Sequence, residues 1–365
     1  MSLVIHGIGT AVPEHFMVQA DAAEMAHALA GPEGRGERTL KALYRRSGVG
    51  KRHSVLLERA AGSMEERQSF YDPDPAPGDQ GPTTAARMAR FEAEAPPLAA
   101  LAARNALAEA GWEPTDITHL VTVSCTGFFA PGLDAALIDI LGLSRQVQRT
   151  HVGFMGCHGA MNGLRVASSF TGADPEARVL LCAVELCSLH LAYGADPEDL
   201  VANAIFGDGA AALVGMAPSE PRSLGDWTVA ANGTILIPSS GDAMSWRIGD
   251  HGFRMTLSAR VPDLIQAHLK DWLREWLAGE GLALEEVVGW AVHPGGPRIL
   301  TAAEQALGLE KDATRLPREV LSEFGNMSSA TILFILQRLR RETAPRPLVA
   351  LAFGPGLVAE AVLIR

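Results

Sequence analysis

Short apolar runs alternate along the chain with segments whose apolar residues repeat at helical spacing. The runs are rich in Val, Leu or Ala and lie at residues 3–8, 119–124, 179–184, 287–293 and 348–353. Runs of this length, bounded by Gly, Pro or charged residues, predict buried strands. Helical patterns lie at residues 98–110, 135–141 and 328–340. Strands that alternate with helices predict an α/β fold with largely covered sheets.

The order of these elements repeats once along the chain. Residues 116–143 and 286–309 both run from a strand through a Pro-Gly turn into a helix that ends in Leu-Gly-Leu. Each half then opens a further helix after a glycine, at Cys157 and at Asn326, and that helix leads into another strand. Four elements in the same order predict a duplicated fold. In this register Cys157 is equivalent to Asn326, and His293 is equivalent to the region of Cys125.

The two halves predict two domains. We place them at residues 1–222 and 223–365, because the polar, proline-containing segment 217–230 separates the apolar runs of the two halves. Residues 63–82 are also polar and rich in proline, and we predict that they form a surface loop.

Composition and charge exclude several classes of function. Hydrophobic residues make up 47% of the 365 positions, which is enough for a large core. The net charge of −11 argues against a nucleic-acid-binding protein, although a local basic cluster can still hold an anion. No apolar stretch approaches the roughly 20 residues that span a bilayer, and the first residues lack the pattern of a signal peptide. We therefore expect a cytosolic protein without integral membrane association, with reduced cysteines.

Cys157 is the strongest candidate nucleophile. It lies in the sequence Gly-Phe-Met-Gly-Cys-His-Gly, where the glycines permit a tight turn and a helix follows at once. The positive end of a helix dipole favours the thiolate over the thiol, which would activate the sulfur. The alternative is a buried structural cysteine, the usual place of a free cysteine. No cysteine pair has C-x-x-C spacing, so a zinc or redox motif is unsupported.

His293 and Asn326 are candidate partners of this cysteine. His293 ends an apolar strand before Pro-Gly-Gly-Pro, so its imidazole can project into a crevice and accept the cysteine proton or donate to a carbonyl oxygen. A core histidine with satisfied hydrogen bonds is the alternative. Asn326 can be the N-cap of the helix that follows. Beside the imidazole, its amide would stabilise an enolate or a tetrahedral oxyanion.

Two further segments are weaker candidates for substrate binding. Lys41, Arg45 and Arg46 belong to the densest basic patch, which can hold the phosphates of an anionic substrate or form a solvated helix face. Gly354-Pro355-Gly356 predicts either a tight loop that lines a cavity or an ordinary β-turn. Neither a Walker A nor a G-x-G-x-x-G motif is present, so nucleotide hydrolysis and dinucleotide binding are unsupported.

Together these motifs resemble the type III polyketide synthases, the chalcone synthase-like family of the thiolase superfamily. The resemblance covers most of the chain. Its most specific segments are residues 204–212, 292–297, 325–331 and 353–357. The last two distinguish the chain from β-ketoacyl carrier-protein synthase III, which shares the Cys, His and Asn. The resemblance implies a duplicated, thiolase-like αβαβα fold, a homodimer, and catalysis without an organic cofactor or a metal.

The resemblance also implies the reaction and its central residues. Cys157 would be the acylated nucleophile, with His293 and Asn326 completing the triad. The activity would be iterative decarboxylative condensation of malonyl-CoA onto a starter acyl-CoA, followed by cyclisation to a pyrone or a phenolic ring. Two alternatives remain: a single-step β-ketoacyl synthase III-like condensing enzyme, and a non-catalytic acyl-binding or Cys-His hydrolytic protein.

Further positions follow from the same resemblance. Phe206 matches the family's gatekeeper phenylalanine, Met255 falls near the second gatekeeper, and Trp246 falls where plant enzymes often carry glycine. Other positions implied to line the cavity are Cys125, Cys187, His190 and Ser328. Ala130 falls where a side chain of the neighbouring subunit enters the cavity, and Arg46 is the best match for a CoA-binding lysine. Cysteine in place of cavity threonines, and Met255 in place of phenylalanine, favour aliphatic starters and alkylpyrone or alkylresorcinol products over aromatic-primed or malonyl-only chemistry.

Overall fold

The structure is a computed structural model that describes residues 2–30, 36–218 and 225–365. Its strands are β1 (Leu3–Ala11), β2 (Phe16–Val18), β3 (Lys51–His53), β4 (His119–Ser124), β5 (Gln148–Gly153), β6 (Arg178–Leu186), β7 (Asp208–Met216), β8 (Trp227–Leu236), β9 (Met244–Gly249), β10 (Gly252–Leu257), β11 (Gly289–Val292), β12 (Leu348–Gly354) and β13 (Val358–Ile364). The strand runs predicted from the sequence correspond to β1, β4, β6, β11 and β12.

The helices complete the alternating pattern. They are α1 (Gln19–Leu29), α2 (Glu37–Arg46), α3 (Met64–Arg67), α4 (Thr84–Ala110), α5 (Leu133–Leu141), α6 (Gly159–Ala173), α7 (Pro197–Ile205), α8 (Val261–Gly279), α9 (Pro297–Leu307), α10 (Arg315–Phe324) and α11 (Thr331–Arg341). No helix among the described residues is both long enough and apolar enough to cross a membrane.

The main sheet shows the duplication directly. Its nine strands lie in the order β11-β12-β13-β8-β1-β7-β6-β4-β5. Outward from the centre, β1-β7-β6-β4 pair antiparallel, antiparallel and parallel, and β8-β13-β12-β11 pair in the same way. The two sets meet where β1 and β8 pair antiparallel. The duplicated arrangement predicted from the sequence is therefore confirmed, with β11, before His293, equivalent to β4, before Cys125.

Helices cover both faces of this sheet. The central layer is formed by α6 and α11, whose buried faces share one apolar cluster with strands of both halves. The outer layers are α4 and α5 on the first half and α8 and α9 on the second. Along β12 the residues alternate between layers, since Ala350 faces the central cluster while Val349 and Leu351 face the outer one. Burial on both faces explains why the strands read as continuous apolar runs.

Two sequence predictions need correction. The helix predicted at residues 98–110 begins at Thr84 and continues through Pro96 and Pro97. Its start is fixed by Thr83, whose hydroxyl accepts a hydrogen bond from the Ala86 amide. The segment 63–82 is not a surface loop throughout. It contains α3 and the buried Tyr71, whose hydroxyl accepts a hydrogen bond from Arg87 at 3.0 Å.

The predicted domain boundary between residues 222 and 223 lies outside the described residues, because the structure does not describe residues 219–224. The two halves themselves are joined through the central helices and through the pairing of β1 with β8.

Candidate active site

Cys157 lies in a 3₁₀ turn, Gly156–His158, directly before α6. Gly156 has a φ of +75°, a left-handed conformation that favours glycine, and a Cβ at this position would collide with the Pro355 ring. The turn leaves the Cys157 side chain partly accessible on the wall of a cavity, while α6 behind it is packed in the central layer. The structure confirms the prediction that Cys157 lies at the start of a helix.

Asn326 lies opposite this sulfur, between α10 and α11. Its main chain is anchored on both sides, because its amide donates to the Ile205 carbonyl at 2.8 Å and its carbonyl accepts from Gly207 at 3.0 Å. The side-chain Oδ1 accepts a hydrogen bond from the Ser328 amide at 2.8 Å. This contact directs Nδ2 towards Cys157, where it lies 4.0 Å from Sγ. Asn326 therefore caps the following turn and also presents an amide donor to the sulfur.

His293 directly follows the last residue of β11. Its amide donates to the Leu351 carbonyl at 2.8 Å, which ties it to the neighbouring strand β12. At the end of β12, the backbone of Gly354 packs against His158, the residue after Cys157. The imidazole of His293 is buried, and neither ring nitrogen has a hydrogen-bond partner within the described parts of the chain. Unpaired polar atoms in a core are costly, so both ring nitrogens are available to a hydrogen-bonding group that the described residues do not supply.

Burial controls the protonation of both residues. It raises the pKa of the Cys157 thiol to about 11, and the negative charge of Glu185 acts in the same direction. Hydrogen bonds from Ser328, Asn326 and the Cys157 backbone lower this pKa, but less than burial raises it. Burial lowers the pKa of His293 to about 3. Burial therefore opposes the Cys157 thiolate that the helix start alone would favour, and it opposes the His293 imidazolium as well.

Alkylation of Cys157 tests whether His293 is the proton acceptor. A thiolate and an imidazolium that form together would stabilise each other, so a His293 that accepts the proton would lower the effective pKa of the sulfur. In His293→Gln no imidazole can accept the thiol proton. The rate of Cys157 alkylation by iodoacetamide is then expected to keep rising with pH up to about 11, the pKa to which burial raises the thiol. In the unsubstituted protein the rate should level off at least one pH unit lower. Identical profiles would show that His293 does not accept this proton.

Glu185 connects the two halves of the site, and the sequence analysis missed it. It lies near the end of β6 and is fully buried, and burial raises its pKa. Its carboxylate accepts hydrogen bonds from the Cys125 amide at 3.0 Å, from Thr126 Oγ1 at 2.7 Å and from the Ser329 hydroxyl. The residue thus fixes the loop after β4 against the segment that follows Asn326. The sequence feature that could have identified Glu185 is the presence of an acidic residue within an apolar strand.

A cavity opens beside Cys157. It holds about 660 Å³ of space not filled by protein, part of it open to solvent. Most residues predicted for this wall do line it: Cys125, Cys187, His190, Phe206, Trp246, Met255, Ser328 and Pro355. Gly354 and Gly356 do not belong to the wall, because Gly354 packs against His158 and Gly356 forms a turn with a φ of +75°. Met244, Phe253 and Leu191 line the cavity without having been predicted.

Three cavity residues are held in place by hydrogen bonds within the protein. His190 Nε2 donates to the Thr126 carbonyl at 2.6 Å, while its Nδ1 accepts from the Phe253 amide at 3.0 Å. Burial lowers the pKa of His190 to about 3, so the ring is neutral. Trp246 donates from Nε1 to the Cys125 carbonyl at 2.7 Å. Ser328 Oγ lies 3.7 Å from Cys157 Sγ and 3.1 Å from Cys125 Sγ.

The predicted basic patch lies away from this cavity wall. Lys41 forms ion pairs on α2 and α1, with Glu37 at 2.6 Å and Glu24 at 3.8 Å. Arg45 and Arg46 are exposed in the last turn of α2. None of the three lines the cavity at Cys157. Of the two interpretations of the basic patch, the structure favours a solvated helix face over a phosphate-binding site at Lys41. In the described part of the chain, no group of three or more His, Cys, Asp or Glu side chains is placed to hold a metal ion.

Two family models together match almost the whole chain. The N-terminal domain of chalcone and stilbene synthases matches residues 2–218, and the C-terminal domain of the same family matches residues 228–365. The chain belongs to this family. It is a type III polyketide synthase, an acyltransferase that forms C–C bonds, and the cavity at Cys157 is its candidate active site.

Individual relatives agree with this assignment. The chain is similar to 1,3,6,8-tetrahydroxynaphthalene synthase of Streptomyces peucetius, with 36% identity over 99% of this chain and 92% of that protein. It is 32% identical to the alpha-pyrone synthesis polyketide synthase-like Pks18 of Mycobacterium tuberculosis, over 99% of this chain and 90% of that protein. Among solved structures, PKS-I of the brown alga Ectocarpus siliculosus superposes with a TM-score of 0.91 and 35% identity, covering 100% of this chain and 98% of that one.

Proposed function

We propose that Cys157, His293 and Asn326 carry out the condensation of malonyl-CoA with a starter acyl group held on Cys157. The observation that carries this proposal is the position of Asn326 Nδ2, 4.0 Å from Cys157 Sγ at the edge of a largely apolar cavity. A hydrogen-bond donor at this distance from the sulfur is close to any acyl group that the sulfur holds. His293 adds a second, buried imidazole donor with no competing partner among the described residues.

The first step loads the starter. Cys157 Sγ attacks the thioester carbonyl of an acyl-CoA while His293 takes the thiol proton. The bond between the carbonyl carbon and the CoA sulfur then breaks, and CoA leaves as a thiol with the proton returned by His293. Because burial disfavours the charged form of each group, the transfer of the thiol proton to His293 is part of the loading step.

The second step extends the chain. The thioester oxygen of malonyl-CoA accepts hydrogen bonds from the His293 ring and Asn326 Nδ2. Loss of CO₂ leaves an enolate whose negative charge these two donors stabilise. The enolate carbon attacks the acyl carbonyl on Cys157, and the Cys157 sulfur is released as the new C–C bond forms. A largely apolar cavity with Phe206 on its wall favours loss of the charged carboxylate and protects the thioester from water.

The cyclised product is a pyrone or a phenolic ring. The names of the two relatives point to one of each, since one is a tetrahydroxynaphthalene synthase and the other an alpha-pyrone synthesis protein. We propose an aliphatic starter and an alkylpyrone or alkylresorcinol product, supported by the cysteines and Met255 on the cavity wall. The proposed chemistry uses CoA thioesters as substrates and needs neither an organic cofactor nor a metal.

We also propose a homodimer. Two apolar side chains are exposed on the surface, Phe128, two residues before Ala130, at 53% and Phe154 at 37%. Both rings contact Phe253 on the cavity wall, and Met155 beside them is 44% exposed. An exposed apolar cluster of this kind is typical of an interface. Light scattering should give twice the chain mass of 38.7 kDa, and a monomer would contradict the proposal.

Product analysis separates this function from the alternatives. Purified protein is incubated with malonyl-CoA alone and with a panel of aliphatic and aromatic acyl-CoA starters, and the products are identified by mass spectrometry. We expect pyrones or phenols that contain several malonyl-derived units, formed best from aliphatic starters. Release of a β-ketoacyl product after one condensation would indicate the single-step enzyme. Thioester hydrolysis without CO₂ release from malonyl-CoA would indicate the hydrolytic alternative.

A further inference from the structure

Arg52 places a buried positive charge against the main chain behind the cavity wall. It lies on β3 and is 7% exposed. Its guanidinium donates from Nη1 to the carbonyls of Asn203, at 2.5 Å, and Phe206, at 3.1 Å, and from Nη2 to Gln19 Oε1 at 2.6 Å. All three acceptors are neutral groups. Burial of a charge is costly unless hydrogen bonds compensate it, so Arg52 and this stretch of main chain depend on each other.

The hydrogen bonds from Arg52 hold the C-terminal end of α7. The last four carbonyls of an α-helix have no partner within the helix. In α7 all four accept from other segments, and they belong to Asn203, Ala204, Ile205 and Phe206. Arg52 donates to the first and the last, Gln19 Nε2 to the second at 2.8 Å, and the Asn326 amide to the third at 2.8 Å. A positive charge is also favourable beside the negative pole of a helix dipole.

A single peptide group links Arg52 to Asn326. The Phe206 carbonyl accepts from Arg52, and the amide of the same peptide group, that of Gly207, donates to the Asn326 carbonyl at 3.0 Å. A hydrogen bond to the carbonyl polarises the peptide group and strengthens its N–H as a donor. Because the main-chain hydrogen bonds of Asn326 go to residues 205 and 207, its position is set by a segment that Arg52 fixes.

The two segments are also in close contact. A Cβ at Gly207 would lie 2.4 Å from the Phe324 carbonyl oxygen, and a Cβ at Gly325 would lie 2.9 Å from the Ile205 carbonyl oxygen. With glycine on both sides, main chain packs directly against main chain. A shift of residues 205–207 therefore displaces Asn326, because no flexible side chain lies between the segments to absorb it.

We infer that Arg52 is a positioning residue for decarboxylation, which holds the end of α7 so that Asn326 Nδ2 stays 4.0 Å from Cys157 Sγ. The inference rests on the proposed function and deepens it by naming a residue that acts through Asn326. Arg52 does not line the cavity at Cys157, so it touches no substrate there. A displacement of about 1 Å at a reacting group can cost about a hundredfold in rate, so loss of Arg52 lowers kcat more than it changes KM.

The test removes the hydrogen bonds of Arg52 while keeping much of its volume. In Arg52→Met, release of CO₂ is measured over a range of concentrations of labelled malonyl-CoA. We expect kcat to fall at least about tenfold and KM for malonyl-CoA to change less than about threefold. Alkylation of Cys157 by iodoacetamide should change less than about twofold, since Arg52 does not bind the turn at Cys157.

Arg67→Met is the matched control. Arg67 is 4% exposed and donates to a main-chain carbonyl, that of Phe16, at 2.8 Å. Like Arg52, it has an Nε without a hydrogen-bond partner among the described residues. Its other hydrogen bond goes to Asp21 at 2.9 Å, away from α7. Its loss should lower the melting temperature while kcat for CO₂ release stays within about twofold.

Hydrogen exchange makes the result independent of turnover. The amides of Gly207 and Asn326 form the hydrogen bonds between the two segments, and their exchange is followed by mass spectrometry of the peptides that contain them. In Arg52→Met these peptides should exchange at least about tenfold faster than in the unsubstituted protein, because the end of α7 opens locally. In Arg67→Met their exchange should be unchanged.

Arg52→Lys is used if Arg52→Met does not fold. Lysine keeps the positive charge but lacks the planar fork that serves the Asn203 and Phe206 carbonyls together with Gln19. We then expect a loss of the same kind, with kcat for CO₂ release reduced at least about threefold and alkylation of Cys157 unchanged.

The outcomes separate this inference from the proposed function. The inference would be overturned by unchanged CO₂ release in Arg52→Met, by an equal loss in Arg67→Met, or by equal losses of CO₂ release and Cys157 alkylation in Arg52→Met. An unsubstituted protein that releases no CO₂ from malonyl-CoA would instead contradict the proposed function. Hydrogen exchange would then still decide whether Arg52 holds Asn326 in place.

Discussion

Cys157→Ala is expected to abolish formation of every product from malonyl-CoA and a starter acyl-CoA. Without the sulfur there is no covalent thioester to hold the growing chain beside Asn326 and His293, so no carbonyl is positioned for the enolate to attack. The loss should be at least about a thousandfold, as expected when an enzyme loses its nucleophile. Product formation is measured by mass spectrometry under saturating substrates.

Two variants control this experiment. Cys182→Ala removes a thiol that is buried in the sheet and does not line the cavity, so it should keep its activity. Cys157→Gln should still release CO₂ from malonyl-CoA, because both donors to the enolate remain. Continued chain extension by Cys157→Ala would show that the acyl group is held elsewhere.

Asn326→Asp is expected to reduce malonyl-CoA decarboxylation by about a hundredfold to a thousandfold. The substitution keeps the Oδ1 acceptor for the Ser328 amide, so the turn before α11 stays capped. It replaces the Nδ2 donor by an oxygen, which repels the enolate instead of stabilising it. Loss of one preorganised donor to a developing oxyanion costs this much in other enzymes. Release of CO₂ is measured with labelled malonyl-CoA.

Alkylation of Cys157 distinguishes a chemical effect of Asn326→Asp from a structural one. The sulfur should still react with iodoacetamide in this variant, and the melting temperature should change little because the cap is preserved. A variant that decarboxylates malonyl-CoA normally would remove Asn326 from the mechanism. A variant that has also lost its folded state would require the same test in Asn326→Ser.

Much of the fold could be predicted because its strands are buried on both faces. That burial removes the polar alternation and leaves apolar runs, which are easily recognised. The repeated order of elements then predicted the duplication that the sheet shows. The helix predicted from residue 98 begins at Thr84, because α4 continues through Pro96 and Pro97, where prolines ordinarily interrupt a helix. The burial of Tyr71 depends on Arg87, a contact between distant segments that no local pattern contains.

The positions of Cys157 and Asn326 at equivalent helix starts were predictable from the repeat. The pKa of Cys157 was not, because it depends on burial and on Glu185, which lies in β6. The same is true of a second cavity, which lies beneath α1 and holds about 530 Å³ of space not filled by protein, part of it open to solvent. Its lining comes from α1, α2, β3 and the segments around Phe206, and only the packing of these elements brings them together.

The site of acylation tests the central claim most directly. The protein is incubated with decanoyl-CoA in the absence of malonyl-CoA, digested, and its peptides are analysed by mass spectrometry. We predict one acyl group per chain, attached to Cys157 and absent from Cys125, Cys182 and Cys187. An acyl group on another cysteine, or active enzyme without an adduct on Cys157, would contradict the account.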